Sequence, residues 1–334
     1  MKELNFKDRA FIIAEIGANH EGNFDDAKQL VLDVAKTGVD AVKFQSYKAD
    51  KIVSKQLSPD RHSHFKKFEL TDAQFVELSA LAEKNRLVFM STPFDIDVVD
   101  VLDKIVPAFK IASADITNYP LLKKVAEKNK PILLSTGAST LDEVKDAANF
   151  IKSVNKNIVD EGKLVLLHCN LSYPTPAEDA NLLSIPYLAE KTGLPVGYSD
   201  HTLGILAAKA AVALGARVIE KHFTNNKNKS DFRDHKLSAD MAEMTQLVKE
   251  IREIEKLRGI AGKQLSNSES ANVASRRSLF AKKEIQRGDL IKEEDLIALR
   301  PATGISPKDF DKVVGRKANR DIKAGELLSF DMLA

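Results

Sequence analysis

Side chains able to handle protons, bind anions or hold metal ions recur near the ends of short apolar runs in this sequence. Lys43 and Gln45 stand two residues apart in AVKFQS (41–46), so they share one face of an extended segment. Ser91 and Thr92 close a second run, and Lys110, Ser113 and Asp115 fall in and just after AFKIAS (108–113). Ser135 and Thr136 end PILLST, His168 closes LVLLHC, Ser199 and His201 follow PVGY, and Glu220 and His222 share VIEKHF. An enclosed core does not tolerate this many polar groups unless they face one another or a ligand. The two lysines could be anion ligands, a Schiff-base nucleophile, or ammonium groups reaching out from a strand edge. Taken together with Gln45, Thr92, Ser113 and Ser135, they favour an anion site, since ammonium groups and hydroxyl donors are what a phosphate or carboxylate needs. His201 and His222 could hold a divalent metal, though two imidazoles leave a site that water and substrate oxygens must complete. Cys169, the single cysteine, reads as a small buried apolar residue.

The elements that must position these groups follow one rhythm. Eight apolar runs, FIIAEIG (11–17), AVKFQS (41–46), VFMSTPF (88–94), AFKIAS (108–113), PILLST (131–136), LVLLHC (164–169), PVGYSD (195–200) and VIEKHF (218–223), read as buried parallel strands. Helix-like stretches lie between them at 25–36, 71–85, 120–128, 140–154 and 205–214, and Thr71/Gln74 and Thr140/Glu143 have capping-box spacing. This predicts an α/β fold, a (β/α)8 TIM barrel, whose catalytic groups come from the C-terminal strand ends. A doubly wound sheet would want a G-x-G-x-x-G loop after its first strand, and GANHEGN stands there instead.

Residues 1–265 are assigned to the barrel, the polar stretch 266–276 to a linker, and 277–334 to a small β-rich domain. That last segment contains an internal repeat: 281–296 aligns without gaps on 318–333, pairing Ala281/Ala318, Ile285/Ile322, Gly288/Gly325, Leu290/Leu327 and Leu296/Leu333. Each copy reads as strand, glycine turn, short strand and an acidic helical turn. Across 334 residues, 50 Lys+Arg against 48 Asp+Glu leave a net charge of +2, which argues against a nucleic-acid-binding surface. No run is long enough to span a bilayer, and no signal peptide is read at the N-terminus. With one cysteine, the expectation is a cytoplasmic protein without disulfides.

The segments IGANHEG, AVKFQS, STPF, FKIAS, LLSTG, HCNLSYPTP, GYSDHT and EKHFT, in this order, resemble the sialic acid synthase family, which includes synthases of N-acetylneuraminic, legionaminic and pseudaminic acids. The repeat region resembles that family's C-terminal antifreeze-like (SAF) domain. The resemblance implies a transferase that condenses phosphoenolpyruvate with an open-chain N-acylhexosamine, giving a nine-carbon 2-keto-3-deoxy sugar acid and phosphate. It implies a divalent metal, Mn²⁺ or Mg²⁺, on His201 and His222. By match, Lys43, Gln45, Thr92, Lys110, Ser113, Ser135 and Ser199 would cradle phosphoenolpyruvate. Glu220 and Glu21 would handle protons, Asp234 would bind sugar hydroxyls and Tyr173 would line the pocket. Arg300 would reach the neighbouring subunit's site in a domain-swapped homodimer.

The chain departs from the family pattern at three places, the first two where the resemblance puts the sugar. Ser113-Ala114-Asp115 replaces S-G-E, Phe232-Arg233-Asp234-His235 replaces G-P-D-H, and His168-Cys169-Asn170 replaces H-C-T. Two other readings compete: a Schiff-base pyruvate aldolase using Lys43 or Lys110, and a non-catalytic carbohydrate-binding protein.

Overall fold

The computed structural model describes residues 4, 6 and 8–334. The chain divides into two compact units, Met1–Gly259 and Ile260–Ala334. In the first, eight parallel strands run β1 Phe11–Gly17, β2 Ala41–Ser46, β3 Val88–Pro93, β4 Phe109–Ile111, β5 Ile132–Ser135, β6 Leu164–Cys169, β7 Val196–Asp200 and β8 Val218–His222. Their order is β3-β2-β1-β8-β7-β6-β5-β4, and β3 and β4 lie side by side to bring the ring near closure. The fold is the expected (β/α)8 barrel. The fourth strand is shorter than its apolar run, because Ser113–Asp115 turns into a 3-10 helix.

The helices are α1 Phe24–Val34, α2 Ala49–Ile52, α3 Pro59–Lys67, α4 Asp72–Lys84, α5 Val99–Leu102, α6 Tyr119–Ala126, α7 Leu141–Val154, α8 Lys156–Asp160, α9 Ser184–Thr192, α10 Leu206–Ala213, α11 Arg233–Leu237 and α12 Met241–Arg258. Both expected capping boxes form, Thr71 with Gln74 and Thr140 with Glu143. A third, Asp240 with Glu243, starts α12, the longest helix. Among the described residues, no helix is long and apolar enough to cross a membrane.

Strand alternation sorts the side chains into two cores. Ile12, Ala14 and Ile16 of β1, with Val42 and Phe44 of β2, pack outward under the helices. Phe11, Ile13, Ala41, Met90, Leu133, Val165, Leu167 and Val218 fill the interior towards the N-terminal ends of the strands. Continuing the same inward faces towards the C-terminal ends gives Glu15, Lys43, Thr92, Lys110, Ser135, Ser199 and Glu220. The interior is thus apolar below and charged above. A register shift between Glu15 and Gly17 interrupts the β1–β2 ladder at this level, and pairing resumes at Gly17 with Phe44.

The second unit is less regular than the repeat suggests. It has one antiparallel pair, β9 Ser278–Ala281 with β10 Leu296–Leu299. The repeat is nonetheless visible in space: Ile285 and Ile322 bridge each other, Gly288 and Gly325 take positive φ, and 3-10 turns occupy Glu293–Asp295 and Phe330–Met332. Leu279, Ala281, Ile285, Ile291, Ala318, Ile322 and Leu328 form its own core.

The loop after β1 is fixed by backbone geometry and one buried histidine. Gly22 has φ +80°, and a Cβ there would lie 2.2 Å from the Lys67 carbonyl oxygen, so only glycine lets this loop meet the end of α3. His20 is buried and its Nδ1 accepts from the Gly22 N–H at 3.0 Å. Burial, helped by Lys229, holds its pKa down to about 4 from the ordinary 6.5. Below 6.5 the unfolded chain therefore binds a proton that the folded chain refuses. Stability is lost as pH falls from 6.5 to about 4, while His20 contributes no pH dependence above 6.5. Between about pH 7 and pH 5 this amounts to about 2 kcal/mol. Denaturant unfolding of His20→Asn, which keeps an acceptor but cannot titrate, should show a shallower fall over that range, and parallel curves would contradict the assignment.

Candidate active site

Four charged side chains are buried together where the barrel interior turns polar. Lys43 Nζ lies 2.6 Å from Glu15 Oε2 and 3.6 Å from Glu220 Oε2, and Lys110 Nζ lies 3.7 Å from Glu220 Oε1. Thr92 accepts from Lys43 at 3.0 Å, Gln45 donates to Glu15 at 3.0 Å, and Ser199 donates to Glu220 at 2.8 Å. Lys110 also donates to the Ile111 carbonyl at 3.2 Å. Neither lysine reaches out from a strand edge, since both are almost wholly enclosed.

The cluster splits its two carboxylates. Burial works to raise Glu220, but Lys110, Lys43 and the Ser199 hydrogen bond bring it down to about 2. Burial raises Glu15, and Glu220 adds to that effect while Lys43 opposes it. Lys43 is held above its ordinary value despite burial, because both carboxylates face it. Lys110 is pushed below its ordinary value, mainly by burial. The result is one carboxylate held firmly as the anion and a second whose pKa burial pushes upward.

Two neutral imidazoles lie at the C-terminal ends of the neighbouring strands. The rings of His201 and His222 are 5.4 Å apart, and Tyr173 stacks on His201 at 4.1 Å. Burial lowers His201 to about 4 and drives His222 well below its ordinary value. His201 Nδ1 lies 2.7 Å from the Asn170 carbonyl, which can only accept, so this nitrogen carries the proton and Nε2 keeps its lone pair. His222 Nδ1 is buried without a hydrogen-bond partner, and Asp234 Oδ2 lies 3.9 Å from it. These features fit a divalent ion held by two imidazoles and completed by water or substrate oxygens. Among the described residues, no group of three His, Cys, Asp or Glu side chains is arranged to hold one alone.

The remaining expected residues are spread over several places. Ser113 accepts from the Gly137 N–H at 2.9 Å, and the buried Ser135 hydroxyl has no partner. Tyr173 and Asp234 sit beside the histidines and are bridged by Arg233, which lies over the Tyr173 ring at 4.6 Å and donates to Asp234 at 3.3 Å. Burial raises Asp234 and also Asp115, which accepts from Asn118 at 3.1 Å. Glu21 stands apart from the lysines. It accepts from Ser230 at 2.8 Å and His235 at 3.0 Å, and these bonds outweigh burial to keep it below its ordinary value. Arg300 is exposed on the second unit. Cys169 is buried, and burial raises its thiol.

Glu15 is a candidate functional residue that strand-end polarity does not reveal, because it sits inside the apolar run FIIAEIG. Its signal was the two-residue period Phe11, Ile13, Glu15, which puts a carboxylate on the barrel interior. Gly17 follows at φ +56°, a conformation that L side chains rarely adopt, next to Glu15 Oε1 and His222 Cε1.

Comparison with known proteins agrees with this architecture. The NeuB family profile matches residues 30–263, and the SAF domain profile matches residues 276–334. An N,N'-diacetyllegionaminic acid synthase of Campylobacter jejuni is 42% identical over 334 residues, covering 96% of this chain and 99% of its own. The synthase of the same name from Legionella pneumophila is 41% identical, covering 96% of this chain and 94% of its own. The crystal structure of an N-acetylneuraminic acid synthetase from Leptospira borgpetersenii superposes with a TM-score of 0.73 at 33% identity, over 79% of this chain and 90% of that one. A charged barrel mouth, a repeat-built second unit and near full-length relatives together place this chain in the NeuB family, with a C-terminal SAF domain.

Proposed function

We propose that this protein condenses phosphoenolpyruvate with an open-chain N-acylhexosamine, releasing phosphate and a nine-carbon 2-keto-3-deoxy sugar acid. The observation that carries the reading is the enclosed Lys43–Glu15–Glu220–Lys110 cluster beside two neutral imidazoles. Two ammonium groups with the hydroxyls of Thr92, Ser113, Ser135 and Ser199 suit a small acid carrying both carboxylate and phosphate. The names of the relatives support the same reaction class.

The nucleophile is the enol carbon of phosphoenolpyruvate, and the electrophile is the sugar aldehyde. His201 and His222 would hold a divalent ion, Mn²⁺ or Mg²⁺, which would supply Lewis-acid polarisation of that aldehyde. The lysines hold the phosphoenolpyruvate anion and exclude water from the carbon that attacks. Once the carbon–carbon bond forms, the aldehyde oxygen needs a proton, and the cationic carbon left behind takes up water, which must lose one. Glu15, with its raised pKa and its place opposite His222 in the β1–β8 register, is suited to carry that proton. Breaking the carbon–oxygen bond to phosphate then gives the keto acid. Glu220 stays anionic and fixes Ser199 and both lysines.

The acceptor we favour is a 2,4-diacetamido-trideoxy sugar over N-acetylmannosamine. Phe68 and Phe232 pack edge to face at 5.4 Å, with His64 against both, two residues before Asp234. Such a wall suits a methyl and an acetamido group better than a hydroxylated tail. Arg300 would serve the acceptor pocket of a second copy in a swapped homodimer, as the family resemblance implies.

Phosphate release should require both substrates and stop with EDTA, and an acceptor panel should favour the diacetamido sugar in kcat/KM by about 10-fold or more. Metal-independent turnover would refute the metal reading. Because burial lowers Lys110, a Schiff-base aldolase is tested alongside: borohydride with pyruvate should leave the protein's mass unchanged. Glu15→Gln should lower kcat by about 100-fold or more with little change in KM for phosphoenolpyruvate, whereas Glu21→Gln should cost far less. Equal losses would return the proton role to Glu21. Arg300→Ala should raise KM for the sugar well beyond any change for phosphoenolpyruvate, and equal effects would remove Arg300 from the acceptor site.

A further inference from the structure

Directly behind the two histidines, on the outer face of the same strands, lies an ion pair that the reaction does not use. Ser199 and Glu220 bond each other inside the barrel, so the residues that follow them, Asp200 on β7 and Lys221 on β8, point outward. They are partners in the β7–β8 register, and their side chains meet at 3.0 Å, each with 0% side-chain exposure. Helix α10, with Ala208, Ala211 and Val212 buried, packs on these strands, and Glu243 and Lys227 also lie within the field of Lys221.

The pair holds the backbone that follows His201. Asp200 Oδ1 accepts from the Thr202 N–H and the Thr202 hydroxyl, both at 2.8 Å, and the Tyr198 hydroxyl also bonds this carboxylate. Lys221 Nζ donates to the Thr202 carbonyl oxygen. The peptide after His201 is therefore tied to the side chain of the residue before it. The residue preceding His222 is tied by its ammonium to the same turn.

We propose that Asp200 and Lys221 are positioning residues that set the separation and aim of His201 and His222 for a divalent cation. The inference rests on the metal reading above. Stability is a weak reason for such a pair, because apolar groups of similar size in a dry layer generally serve as well or better. A directional bond across two strands does something that apolar packing does not: it fixes where the strand ends lie relative to each other. Groups that orient metal-binding histidines typically change metal affinity 10- to 100-fold when replaced.

Manganese titration followed by electron paramagnetic resonance tests this on the full chain. The parent should bind one Mn²⁺, and the His201→Ala/His222→Ala variant none. If the parent shows no histidine-dependent binding, the metal reading fails and this inference falls with it. Given parental binding, Asp200→Asn/Lys221→Met removes both charges together, so no lone charge is left buried. It should bind Mn²⁺ at least 10-fold more weakly while melting within a few degrees of the parent. Thr202→Val removes one bond to the carboxylate, leaves the charges paired, and should weaken Mn²⁺ binding a few-fold. A folded double variant with parental Mn²⁺ affinity would overturn the positioning role. If the double variant does not fold, unchanged affinity in Thr202→Val overturns it instead.

Discussion

Burying charge is the constraint on which the rest of this structure depends. Glu15, Lys43, Lys110 and Glu220 sit in the barrel interior with almost no access to water. Any one alone would cost several kcal/mol to keep ionised there. The barrel meets that cost by supplying the four from strands β1, β2, β4 and β8, at one level, so that opposite signs face each other across the interior. The level is set by strand register, because an inward side chain one residue out of place would face the helices. The apolar interior below, from Phe11 and Ile13 to Leu167 and Val218, keeps water from entering from the other end.

This constraint explains which parts were legible from sequence. Parallel strands covered on both faces read as nearly continuous apolar runs, and the eight runs mark the strand ends to within one residue, β4 excepted. Polar residues at the ends of those runs stood out for the same reason. Glu15 did not, because a single carboxylate inside FIIAEIG is visible only once the inward face of that strand is known. Its partner Lys43 comes from another strand about thirty residues away, and composition carries no trace of that pairing. Helix α12 begins with a capping box as clear as the two that were noticed, yet its mixed charged surface hid its apolar stripe of Met244, Leu247 and Ile251.

The outward-facing charges tell the same story from the other side. Asp200 and Lys221 each stand beside a histidine in the sequence, and alternation alone places them away from the site. Only the structure shows that they meet each other and enclose Thr202. Glu21 is the converse case. The family resemblance implies proton chemistry for it, but the loop turns through φ +51° at Glu21 and delivers the carboxylate to Ser230 and His235. A residue's type announces what it can do, whereas its partners decide what it does.

The split between the two carboxylates follows from counting partners. Glu220 faces both lysines and a hydroxyl donor, so its charge is fully answered. Glu15 faces one lysine and an amide, and it also sits within the field of Glu220. On the proposed reading, an anion entering the cluster would draw Lys43 and Lys110 towards itself and so weaken the ammonium contacts that favour the ionised form of Glu15. Glu15 would then move further towards its protonated form at the moment the substrate is bound. In a cluster with balanced charges, binding an acid and loading a proton on the neighbouring carboxyl group are one electrostatic event. A barrel mouth richer in cations would bind the anion more tightly but would leave Glu15 ionised, with no proton to give.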